Sequence, residues 1–275
     1  MLNRVILIFA VVGLTVGCGS NTRTACTLQQ LGISPIQLVD ANGVKTYGII
    51  PRNYNPSIPS RWVLYDHGSG QTGLAISTNA CDTILVKALV QANYVVIASD
   101  YKVQNCWGNA QCVTDLAAVQ KRWKEQLNLS PKPYVIAESM GGIVTWNAIS
   151  HNALAPRAVV GIYPACNLSN MYDNGAGPFY LPIQSDYGFS NSTGYAAATA
   201  GYDPILSPAS DFISFPILMW ASYSDTLVLR SQNEDPFAAR VNAAGGNVVI
   251  NTSIGNHGDI SNFDREGVLD FFEKY

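Results

Sequence analysis

Apolar and polar positions along this chain follow two alternating periods. Runs rich in β-branched and aromatic residues fall at 36–40, 45–50, 62–66, 94–99, 134–137, 158–163, 217–221 and 248–254, and they predict strands. Between them the spacing turns helical. Ile84, Leu85, Ala88 and Leu89 predict a helix over 82–91, and Leu116, Val119, Trp123 and Leu127 predict one over 113–127. Further helices are predicted at 143–150, 236–244 and 261–273. Asn42-Gly43, between the first two strands, is a tight-hairpin signal. A hairpin followed by β-α-β units predicts an α/β fold with a mainly parallel, doubly wound sheet. From Pro164 to about Asp211 no period is sustained, and Gly, Ser, Asn, Pro and Tyr dominate. Structureless loops of that length are uncommon and usually functional. Tyr172, Phe179, Tyr180, Tyr187, Phe189, Tyr195 and Tyr202 are available there to line a groove or to pack the segment down.

The N-terminus reads as an export leader over 1–17. Arg4 supplies a positive charge, and Val5 to Gly17 is uncharged and too short for a stable membrane span. Thr15-Val16-Gly17-Cys18 resembles a bacterial lipoprotein signal, which would leave Cys18 as a lipid-modified first residue; ordinary secretion is the other outcome. Residues 18–275 are ample for one large α/β domain and short for two. Five cysteines follow Cys18, which suits an oxidising compartment. Cys106 with Cys112 is the clearest pair, Cys26 with Cys81 is a plausible second, and Cys166 is then left over; spacing alone does not fix the connectivity.

Formal net charge is −3 with 13% charged residues, so the chain carries no basic footprint for nucleic acid. It has no glycine-rich phosphate loop and no cysteine–histidine cluster at metal spacing, so neither cofactor nor metal is called for. The chemistry instead gathers at Tyr134-Val-Ile-Ala-Glu-Ser-Met-Gly-Gly-Ile-Val144. There a short apolar run meets a helical one at Ser139, between the small residues Ala137 and Gly141. A serine on such a turn exposes its hydroxyl, and the next amide, Met140, lies at a helix N-terminus where negative charge is stabilised. Acyl transfer needs this pairing of nucleophile and oxyanion donor on a rigid corner.

Upstream, the strand at 62–66 runs into His67-Gly68-Ser69-Gly70. This H-G-x-G turn, lying well before the serine, resembles the oxyanion loop of the α/β-hydrolase family. The resemblance covers nearly everything after the leader and implies that fold, with a cap insertion over about 164–211. It implies Ser139 as nucleophile and an oxyanion hole built from Met140 and Ser69, flanked by Gly68 and Gly70. The family order Ser, acid, His points to His257, because His67 sits in the oxyanion loop and His151 ends the helix after the serine. The acid is then Asp225, in the loop after the strand at 217–221. Asp203 and Asp211 precede that strand, and Asp259 is too near His257 in sequence to orient it easily. The expected function is an exported serine hydrolase acting on a small-molecule or polymeric carboxylic ester. The alternatives are a serine peptidase of the prolyl-oligopeptidase or dipeptidyl-peptidase type, and a binding lipoprotein on an inactive hydrolase fold. No nucleic acid partner is expected, and a membrane only through Cys18.

Overall fold

The computed structural model describes residues 34–39, 43–102, 105–173 and 179–275. The leader, Cys18, Cys26 and the hairpin turn at 40–42 lie outside the described residues. Eight strands form one sheet: β1 (Ile36–Val39), β2 (Lys45–Ile49), β3 (Trp62–Asp66), β4 (Val95–Ser99), β5 (Tyr134–Glu138), β6 (Ala158–Ile162), β7 (Pro216–Ala221) and β8 (Asn247–Thr252). Their order is β1-β2-β4-β3-β5-β6-β7-β8. β1 and β2 run antiparallel to their neighbours, and every other pairing is parallel. β3 to β6 are buried throughout, which is why they read as near-continuous apolar runs rather than as alternating ones.

The helices are α1 (Ala75–Thr78), α2 (Ala80–Gln91), α3 (Ala110–Gln126), α4 (Met140–Ser150), α5 (Leu168–Asp173), α6 (Tyr180–Tyr187), α7 (Ser192–Ala198), α8 (Glu234–Ala243) and α9 (Arg265–Lys274). Leu116, Val119 and Trp123 of α3, Ile143 and Val144 of α4, and Phe237 and Val241 of α8 join one core. Leu85, Val86 and Leu89 of α2 with Val268 and Phe272 of α9 join the core on the opposite face. The sheet is thus doubly wound. No helix among the described residues is long and apolar enough to cross a membrane.

Five helices start two to four residues from where periodicity predicts, α2 and α8 each two residues early, and side-chain caps set the starts of α2, α3 and α9. α3 begins at Ala110 rather than at 113, because the Asn109 side chain accepts from Cys112 N at 3.0 Å. α4 begins at Met140 rather than at 143, directly on Ser139. α9 begins at Arg265 rather than at 261, capped by Asp264 onto Gly267 N at 3.0 Å; 260–262 is a separate 3₁₀ turn capped by Asp259.

The segment between β6 and β7 holds α5, α6 and α7 and packs beside α3 and α4. Asp203 accepts from Leu168 N and Ser169 N at 2.9 and 3.0 Å, Trp107 N donates to Asp186 at 2.9 Å, and Asn147 of α4 donates to Tyr202 O at 2.8 Å. Its rings pack largely on one another or on the body: Tyr172 on Tyr195, Phe189 on both, Phe179 on Trp107, and Tyr202 on His151. Cys106 and Cys112 form a disulfide with Cα atoms 6.1 Å apart, tying the loop before α3 to its first turn.

Candidate active site

β5 delivers Ser139 to the C-terminal edge of the sheet, and α4 leaves at once. The chain turns by placing Ser139 at φ 51°, ψ −118°, a conformation L-residues rarely adopt. Three backbone hydrogen bonds hold it there: Ser139 N to Ile162 O at 3.0 Å, and Gly142 N and Ala165 N to Ser139 O at 2.9 Å each. The small neighbours follow from crowding. Ala137 pairs with Asp66 on one side and Gly161 on the other and is fully buried. A Cβ on Gly141 would lie 2.0 Å from Asp66 O, so only glycine fits at that position.

His257 follows β8 and Asp225 follows β7. The structure brings them to Ser139: Ser139 Oγ lies 3.0 Å from His257 Nε2, and His257 Nδ1 lies 2.7 Å from Asp225 Oδ2. With Nδ1–H donated to the carboxylate, Nε2 is left to accept from the serine hydroxyl. The other oxygen of Asp225 accepts from Leu227 N at 2.8 Å and Val228 N at 3.0 Å, which fixes the carboxylate in its loop. The rival acids are occupied elsewhere. Asp203 caps α5, Asp211 sits in a 3₁₀ turn before β7, and Asp259 caps the 3₁₀ turn at 260–262. His67 is buried and donates through Nδ1 to Gly68 O at 2.8 Å; burial pushes its pKa down to about 4. His151 contacts Gly201 O and the Tyr202 ring.

In the loop 67–70 the amides expected to hold an oxyanion separate. Gly68 N donates to Gln71 Oε1 at 3.2 Å and Gly70 N to Asn105 Oδ1 at 2.9 Å, so both are engaged within the protein. Among the described residues, Ser69 N and Met140 N have no such acceptor. Ser69 Oγ donates to the same Asn105 oxygen at 2.8 Å, pinning the loop from that side. A cavity of about 170 Å³ opens between this loop and the histidine, lined by Gly68, Ser69, Gln71, Ser139, Tyr163 and His257 among others. Among the described residues none from 164–211 lines it, so the rings expected to form a groove do not border this cavity. A second cavity, of about 390 Å³, lies beyond Asn105 against Pro182, Ser185 and Asp186 of α6.

Several residues at the site escape sequence reasoning. Asn256 Oδ1 accepts from His257 N at 2.8 Å and Thr226 N at 3.1 Å, joining the histidine and acid loops. Tyr163, at φ 37°, lays its ring 4.3 Å from the His257 ring. Glu138, fully buried beside Ser139, accepts from Tyr65 and Tyr163 hydroxyls and from Gln71. Its signal was readable: Tyr134 and Ile136 point into one core, and the next position on that face is a carboxylate. Among the described residues no group of His, Cys, Asp and Glu could hold a metal ion.

No protein-family model matches the sequence, and no curated protein matches it. Solved structures do resemble it. An acylaminoacyl peptidase from Pyrococcus horikoshii superposes with a TM-score of 0.67 at 14% identity, over 88% of this chain and 41% of that one. A puromycin-hydrolyzing peptidase from Mycobacterium tuberculosis gives 0.67 at 19% identity, over 88% and 40%. Oligopeptidase B from Leishmania major gives 0.65 at 10% identity, over 87% and 35%. The chain spans about two fifths of the length of these peptidases. It has the α/β-hydrolase fold.

Proposed function

We propose that this chain is a serine hydrolase working through an acyl-enzyme. The observation that carries the reading is the continuous hydrogen-bonded line from Ser139 Oγ through His257 to Asp225. Ser139 attacks the acyl carbonyl, and its proton passes to His257 Nε2. The amides of Met140 and Ser69 receive the oxyanion, since their neighbours at Gly68 and Gly70 are already bonded. The tetrahedral intermediate collapses as His257 returns the proton to the leaving group; water then enters and the cycle repeats to free Ser139. Asp225 fixes the imidazole tautomer throughout.

Peptide bonds are the leading substrate class, supported by the peptidases whose fold the chain shares. The second reading is carboxylic esters, favoured by a cavity whose lining, among the described residues, holds no lysine or arginine to receive a peptide carboxylate. A binding lipoprotein without turnover is disfavoured by the intact hydrogen-bonded line. The leader and Cys18 support export with a lipid anchor; Cys18→Ser should then release the protein from the membrane fraction, and no change in fractionation would leave ordinary secretion.

A fluorophosphonate probe should label Ser139, and Ser139→Ala and His257→Ala should each lower kcat by about four to six orders of magnitude. Peptidyl p-nitroanilides set against p-nitrophenyl acyl esters decide the bond class. Full activity in Ser139→Ala would end the proposal.

A further inference from the structure

The Ser139 cavity contains a carboxylate that the acyl-transfer chemistry does not use. Glu138 is 3% exposed and has no cation among its hydrogen-bond partners. Burying such a group is costly unless it is fully hydrogen-bonded. Its Oε2 accepts from Tyr65 OH at 2.9 Å, and its Oε1 from Tyr163 OH and Gln71 Nε2, both at 3.0 Å. Asp82, in the first turn of α2, is buried nearby. Burial together with the neighbouring Glu138 charge pushes the Asp82 pKa well up.

The partners of Glu138 connect separate segments of the site. Gln71 turns its amide nitrogen to Glu138 and its oxygen to Gly68 N at 3.2 Å, and its own backbone N donates to Gly68 O at 3.3 Å. The side chain thereby closes the oxyanion turn onto the strand that carries Ser139. The two lie close: a Cβ on Gly68 would sit 3.4 Å from Ser139 Cβ and 3.5 Å from Glu138 Oε1. Asn105 pins the far side of the same loop. By taking the Gly68 amide, Gln71 leaves Ser69 N as the open donor.

We propose that Glu138 and Gln71 form a positioning tie, in which Glu138 beside the nucleophile holds Gln71, and Gln71 holds the oxyanion loop. This rests on the serine-hydrolase reading and adds two residues that act by holding the loop. Untying the loop should misplace the Ser69 amide while leaving ground-state binding alone.

The test uses the full-length protein, with the rate of Ser139 phosphonylation by a fluorophosphonate, and kcat and KM for p-nitrophenyl acetate, as readouts. Absence of labelling in the parent overturns the serine-hydrolase reading and this one with it. With the parent labelled, Gln71→Met should slow phosphonylation and kcat each by about 10²-fold, with KM within about threefold and the unfolding midpoint unchanged. Gln71→Ala serves if the Met variant does not fold. Glu138→Gln, which keeps an acceptor oxygen, should lose about tenfold, and the double variant no more than Gln71→Met alone. Parent-like rates in the Gln71 variants, a loss confined to KM, or losses that multiply in the double variant overturn the tie while sparing the hydrolase reading.

Discussion

Ser139 adopts its unusual backbone angles because three hydrogen bonds and a glycine two residues on leave no relaxed alternative. Strain of this kind persists only where the surroundings over-determine it. Asp225 is the residue whose role is argued from sequence order alone, and its surroundings now give a physical account. One oxygen is held by two loop amides and the other faces His257 Nδ1, so the carboxylate has a single orientation. Asp225→Asn should keep the fold and favour the wrong imidazole tautomer, with kcat falling by roughly 10⁴. Asp259→Asn, which disturbs only a 3₁₀ cap, should stay within about tenfold of the parent. Steady-state kinetics of the two variants, with circular dichroism to check folding, would separate them; equal losses would mean Asp225 is not the orienting group. Ser139, His257 and Asp225 were legible in the sequence because each stands at a fixed place relative to a strand end. Asn256, Gln71 and Asn105 were not, because each acts through a hydrogen bond between segments far apart in sequence, and such pairings leave no local pattern.

At the level of elements, every described strand was read within two residues of its bounds, the partly exposed β1 and β8 included. The strands buried on both faces gave near-continuous apolar runs. The segment after β6 gave no period because its helices are only 6, 8 and 7 residues long, too short for a 3.6-residue pattern to accumulate, and α7 buries none of its residues. Helix starts were misplaced where a cap rather than an apolar stripe sets the boundary, as at Asn109. The junction of β5 and α4 makes a sharper test of how tightly elements meet. Gly141→Ala would drive a methyl group into the Asp66 carbonyl of β3. The helix or the strand must then shift, at a cost of roughly 1–3 kcal/mol or more, and Ser139 moves with it. Denaturant unfolding together with the fluorophosphonate labelling rate would show both losses; a parent-like variant would mean that the contact relaxes freely. The disulfide at the start of α3 closes a small loop, and removing both Cys106 and Cys112 should lower stability by about 2 kcal/mol, read from the same unfolding curves.

Across the whole molecule, the buried acids set an expected response to pH. Burial raises the pKa of Asp66 to about 7 and of Asp186 to about 6, and raises those of Asp82, Glu138, Asp203 and Glu234 as well. A carboxyl group whose folded pKa lies above its unfolded value binds more protons in the folded state between the two. Stability therefore falls as pH rises through that interval, for Asp66 from about 4 to about 7, and levels off above it. His67 opposes this: with a folded pKa near 4, it loses stability as pH falls from 6.5 toward 4. One histidine faces several carboxyls, so the molecule should be more stable at mildly acidic pH than above neutrality. Asp66 isolates the effect, because its two oxygens accept from Thr145 at 2.6 Å and Tyr101 at 3.1 Å and meet no cation in those bonds. Asp66→Asn keeps a neutral group of the same shape at every pH. Its effect on unfolding free energy should become more favourable between pH 5 and pH 8, by as much as ~2.7 kcal/mol, since that span crosses about two pH units of the raised interval. Urea unfolding of parent and variant at the two pH values gives the difference directly, with the other acids common to both proteins. Parallel curves would show that Asp66 ionises in the folded state as readily as in the unfolded one, and the burial argument for this carboxyl would fail.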